Sequence, residues 1–214
     1  MSVDLEKATT RNLLDGLRSY ISTFETQLDS IRHEENSTVV DSRDGRVHPV
    51  HFGDLLPRLQ TYSFVTLLAL IVEVRLSVFC RTVQQDYALT TGIDDLAGDA
   101  FARALAFLAR SLSLEPPQNL WRWLADVMLI RDCIVHTGGS VQALSRSDRL
   151  EIHSIVRRRS GLAVETDSLL FSHRPQAGYL GQQILRVELE FCSDAVTAAQ
   201  GLIGYLYQHR EPGT

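Results

Sequence analysis

The stretch 121–139, WRWLADVMLIRDCIVHTGG, decides how the rest of the chain is read. Trp121, Leu124, Val127, Met128, Ile130, Ile134 and Val135 recur at helical spacing, which predicts a largely buried helix. Arg131, Asp132 and His136 interrupt this apolar run. Arginine and aspartate are seldom buried without a partner, because an unpaired charge away from water is costly. Thr137-Gly138-Gly139 predicts the end of the helix, since glycine enters the left-handed conformation cheaply. Asp132 and His136 are four apart and share a helix face. Arg131 and His136 are five apart, roughly 140° around an ideal helix. They converge on one ligand only if the last turn distorts or a second copy of the motif faces the first.

Outward from this helix the chain reads as all-α. The expected architecture is an up-and-down bundle of about five helices with a long central helix and small β-hairpin or irregular insertions. Thr9 or Thr10 can cap a first helix to about Glu35, with Leu13, Leu14, Leu17, Ile21, Phe24, Leu28 and Ile31 as its apolar stripe. The polar segment 36–52 contains the turn Asp44-Gly45 and the breaker Pro49, and has room for a short hairpin. His48 and His51 lie there without a third ligand, so exposed loop histidines are the better reading than a metal site. A second helix is expected from Asp54 to about Gln85, apolar on nearly all sides and therefore central. Asp94 or Asp95 opens a third helix to about Leu112, and Pro116-Pro117 breaks the chain before the motif helix. Ser145 or Ser147 can cap a short helix carrying Arg146, Arg149, Arg157, Arg158 and Arg159. A small hairpin or irregular arm is expected around Asp167-Ser168, and a last helix from about Gln182 to His209.

Length and composition fit one domain, residues 1–214, with a real core. The chain is 44% hydrophobic and 22% charged, with a net charge of −5, which argues against a generally basic nucleic-acid binder but leaves room for a local patch. Lys7 is the only lysine. Cys80, Cys133 and Cys192 are far apart in apolar contexts and read as buried thiols of a reducing cytosol. The amino-terminal residues carry no signal-peptide pattern, and the apolar run 64–72 is short for a bilayer span. A cytoplasmic protein without membrane contact is the expectation. No phosphate-binding glycine loop, nucleophile elbow, Cys-x-x-Cys or His-Glu-x-x-His occurs.

At RDCIVH, residues 131–136, followed by a small-residue stop, the chain resembles the Arg-x4-6-His signature of HEPN domains. That resemblance implies an all-helical module, a homodimer with the two motifs facing each other, and a metal-independent endoribonuclease without cofactor. A toxin or phage-defence effector, with an antitoxin or other operon partner, is the biological setting it implies. Arg131 and His136 would be catalytic, with Asp132 and Glu73 in support. For Glu73 two readings stay open: pairing with an arginine at a helix contact, or reaching Arg131 or His136 to set their protonation and aim. Family members often have asparagine where Asp132 stands, and some carry a tyrosine where Gly138 stands.

The chemistry suits the residue types. RNA supplies its own nucleophile, the 2′-hydroxyl. An imidazole can take or give a proton near neutral pH, and a guanidinium matches phosphate oxygens while staying charged. Asp132 would orient His136 or hold Arg131. Arg149, Arg157, Arg158 and Arg159 are candidates to meet RNA phosphates, against the alternative of a solvated basic face. Two other readings compete with the ribonuclease. One is a non-catalytic helical dimer that binds RNA, a nucleotide or a partner protein. The other is a structural helical scaffold.

Overall fold

The computed structural model describes residues 3–37, 52–167 and 182–210. The fold is an all-α bundle with, among the described residues, one small antiparallel hairpin. Among the described residues there are six helices: α1 (Val3–Ser37), α2 (Phe52–Asp86), α3 (Ala100–Ser111), α4 (Gln118–Thr137), α5 (Arg146–Arg158) and α6 (Leu189–Gln208). Strands β1 (Leu162–Asp167) and β2 (Gln182–Val187) pair in register from Leu162 opposite Val187 to Asp167 opposite Gln182. The expected hairpin within 36–52, with His48 and His51, and the expected strand at 169–171 lie outside the described residues.

Several helix limits differ from expectation, among them the start of α2, which lies at Phe52 with Asp54 inside the helix. Helix α1 begins before the predicted caps. Thr9 and Thr10 are inside it, donating to the carbonyls of Leu5 (2.7 Å) and Glu6 (2.9 Å) one turn back. Its buried stripe is Leu14, Leu17, Ile21, Phe24 and Leu28, while Leu13, one residue off that spacing, is exposed. The third helix starts at Ala100, capped by Asp99, whose carboxylate accepts from the Ala102 amide at 2.7 Å. Asp94 and Asp95 instead belong to a 3-10 turn, where the Asp95 carboxylate accepts from the Gly92 amide at 2.8 Å. Gly98, at φ 112°, separates that turn from the helix. Residues 182–187 are a strand rather than the start of α6. Their side chains Ile184, Leu185 and Val187 are buried, but the backbone pairs with β1, an interaction that helical spacing cannot reveal.

The chain forms two compact units. The first comprises residues 1–17, 67–128 and 194–214. Its core holds Leu68, Leu76, Phe79, Phe107, Leu108, Leu124 and Leu206. Phe79 meets Tyr207 edge-on (5.4 Å between ring centres), and Phe101 stacks on Trp121 (4.1 Å). Glu6 is buried and accepts from the Thr82 hydroxyl at 3.0 Å. Leu67 (46% exposed), Leu70 (54%) and Val74 (47%) show that α2 is not buried on nearly all sides. By length and composition its segment Leu56–Asp86 suffices to cross a membrane, and 44% of its most apolar window is buried inside the protein.

The second unit comprises residues 18–66 and 129–193. It holds the last turns of α4, all of α5 and both strands. Ile130, Cys133, Ile152, Ile155, Leu185 and Phe191 are fully buried there. Arg149 donates to the carbonyls of Gln142 (2.9 Å) and Leu144 (3.2 Å), tying α5 to the short 3-10 turn Val141–Ala143.

Candidate functional site at the end of α4

Helix α4 buries Leu124, Val127, Ile130, Cys133 and Ile134, the spacing that made it legible. Arg131 and Asp132 are half-buried on its flank; His136 and Val135 are exposed in its last turn. The helix stays α-helical through Thr137, so no distortion of the last turn brings Arg131 and His136 onto one face. Arg131 is instead paired with its neighbour: its Nη1 donates to Asp132 Oδ1 at 2.8 Å. Asp132 lies one turn from His136 on the same helix face, so the acid stands between the two in the helix order. Among the described residues no hydrogen bond joins Asp132 to His136.

The exit from α4 is tightly organised. Gly138 and Gly139 have φ of 62° and 85°, the left-handed region that glycine enters without strain. The Gly138 amide donates to Ile134 O (3.0 Å) and the Gly139 amide to Cys133 O (3.2 Å). Thr137 Oγ1 also donates to Cys133 O, at 2.6 Å. The carbonyl of Gly139 accepts from the Leu185 amide of β2 at 2.9 Å, and Gln182 Nε2 donates to Ser140 Oγ at 2.6 Å. Tyr62, buried in α2, donates its hydroxyl to the carbonyl of Leu185. Its ring covers Gly139 so closely that a Cβ there would lie 2.7 Å from Tyr62 Cζ.

The other predicted residues stand as follows. Glu73 is half-buried in the part of α2 that belongs to the first unit, whereas Arg131, Asp132 and His136 belong to the second. Arg149 is engaged with the two loop carbonyls. Arg158 donates to Glu151 Oε1 and to Ser154 Oγ, both at 2.8 Å. Arg159 is half-buried as the carboxyl-terminal cap of α5. Arg157 is exposed and has no partner among the described residues. The four arginines therefore do not form one free basic face.

The three cysteines are free and buried. Burial pushes the Cys80 and Cys192 thiols up to about 12. Burial also raises Cys133, partly opposed by its hydrogen bond with Thr137. Thiols held protonated in this way are poor nucleophiles. Among the described residues no group of three or more His, Cys, Asp or Glu side chains is arranged to hold a metal ion.

Sequence reasoning missed Tyr62, Ser140 and Gln182. The Gly138-Gly139 pair signalled a turn, but nothing in a lone tyrosine 77 residues earlier signalled what would cover it. Comparison with protein-family models, with curated proteins and with solved structures gives no match.

Proposed function

We propose that the protein is a HEPN-type endoribonuclease that cleaves RNA by 2′-hydroxyl attack on the adjacent phosphate. The observation that supports the reading is the Arg131–Asp132 bond, which ties a cation to the acid one turn before an exposed histidine at an anchored helix end. In the proposed reaction His136 takes the 2′-hydroxyl proton as that oxygen bonds to phosphorus. The phosphorus–5′-oxygen bond breaks, and the departing oxygen receives a proton. Arg131 holds the charge that builds on the phosphate oxygens. The products are a 2′,3′-cyclic phosphate and a 5′-hydroxyl. One imidazole per chain serves as base or as acid, so a homodimer with facing motifs would supply both.

The test is degradation of diverse RNAs in excess chelator by wild type, Arg131→Ala and His136→Ala. Cleavage that survives chelation and falls by about 10²–10⁴ in both variants is expected. A well-folded wild type that leaves every RNA intact overturns the reading. One feature favours a second reading, a dimer that binds RNA, a nucleotide or a partner protein without cutting. Asp132 already neutralises Arg131, which weakens its hold on a transition-state charge. RNA retained by wild type but left uncut, with retention lost in Arg131→Ala, would select that reading.

A further inference from the structure

We propose that Tyr62 is the positioning residue of the α4 site, clamping the Gly139 exit to β2 and so holding the turn that carries His136. This rests on the ribonuclease reading only for its catalytic consequence; the clamp itself is independent of it.

A helix end ordinarily frays, because its last carbonyls lack partners within the helix. Here three carbonyls of the last turns, those of Cys133, Ile134 and Thr137, have partners beyond the regular helix pattern. Cys133 O accepts from Gly139 and Thr137, Ile134 O from Gly138, and Thr137 O from the Ser140 amide at 3.1 Å. Gly139 O then accepts from Leu185, so the last link in the series is a residue of β2. Leu185 is gripped on both backbone groups. Its amide holds Gly139, and its carbonyl is held by the Tyr62 hydroxyl. Tyr62 meets the same glycine a second time through its ring, which fills the space a side chain at 139 would need. One tyrosine thus fixes both the glycine that ends the helix and the strand residue bonded to it. Tyr62 is only 8% exposed, so it can act on RNA only through the backbone it holds.

Tyr62→Phe keeps the ring over Gly139 and removes only the hydroxyl bond to Leu185. The experiment is NMR of the full chain without RNA, followed by RNA cleavage kinetics. In wild type the Tyr62 hydroxyl proton should exchange slowly with water. In Tyr62→Phe the Leu185 amide should exchange at least about tenfold faster. The His136 ring signals should shift, while the Ile152 and Ile155 amides of α5 keep their wild-type rates. Cleavage should lose about tenfold in kcat with little change in KM, as expected for a misaligned group.

Unchanged Leu185 exchange and His136 signals would overturn the proposal. So would equal loss of protection at Ile152 and Ile155, which marks a merely structural tyrosine. If the variant does not fold, the wild-type hydroxyl proton decides: exchange as fast as that of an exposed tyrosine overturns the clamp. If wild type cuts no RNA, the proposed reaction fails while the NMR signals still decide the clamp.

Discussion

The end of α4 and the length of α5 are both basic, and they are held in contrasting ways. On α5 two of the cations are occupied by their own neighbourhood, Arg149 by loop carbonyls and Arg158 by Glu151 and Ser154, while Arg157 is exposed. On α4 Arg131 is paired with Asp132 and the helix exit is anchored through its backbone, while His136 faces solvent. The contrast teaches that a run of arginines measures charge and not availability. A guanidinium that ties two loop carbonyls to its helix is scaffold, whereas a single imidazole on a fixed turn can meet a ligand.

The comparison would be broken most severely by activity. His136→Ala should abolish cleavage by about 10²-fold or more, whereas Arg157→Ala should change it by no more than a few-fold, as for one phosphate contact. Comparable losses measured in parallel assays would mean that α5 is as much a part of the site as α4. Stability should show the reverse pattern. Arg149→Ala removes the donor to the Gln142 and Leu144 carbonyls and should cost about 0.5–1.5 kcal/mol in urea unfolding. Arg157→Ala should stay within about 0.5 kcal/mol.

A smaller effect sharpens the account of α4's inner face. The Cys133 thiol is raised above its ordinary value of 9.0 by burial, so the unfolded chain ionises there first as pH rises. The stability this contributes is intact below pH 9.0 and is lost as pH climbs from there through the folded-state value. The loss is at most about 1.4 kcal/mol per pH unit for one thiol. Urea unfolding between pH 8 and 10.5 should therefore show a shallower alkaline decline in Cys133→Ala than in wild type. The smallest expected change is in Asp132→Asn. Removing the carboxylate's charge weakens its hold on Arg131, and RNA retention should tighten by about two- to fivefold at low salt, as for a partly exposed ion pair. Weaker retention would mean that Asp132 positions Arg131 more than it neutralises it.

Much of the helical framework was legible in the residues. The α4 stripe, its glycine stop and the Ser145 cap of α5, which accepts from the Asp148 amide at 3.2 Å, follow from contacts within one or two turns. The buried state of the cysteines followed from their apolar flanks. Less was legible where two local signals competed. Asp94, Asp95 and Asp99 can all cap, and Gly98 made Asp99 the one that does. On α2 the uniform apolar run concealed that Leu67, Leu70 and Val74 face outward, because periodicity cannot show how much cover the rest of the chain supplies.

Sequence by itself determined that the chain is helical, where its motif helix ends, and which polar residues stand at that end. These depend on hydrogen bonds four residues apart and on a 3.6-residue repeat, both written locally. Only the tertiary structure decided that 182–187 is a strand, that Arg149 and Arg158 have neighbours of their own, and that Tyr62 lies over Gly139. Those outcomes hang on partners brought together by folding, some of them scores of residues apart. A strand finds its ladder, and a glycine its cover, only when the rest of the chain is in place.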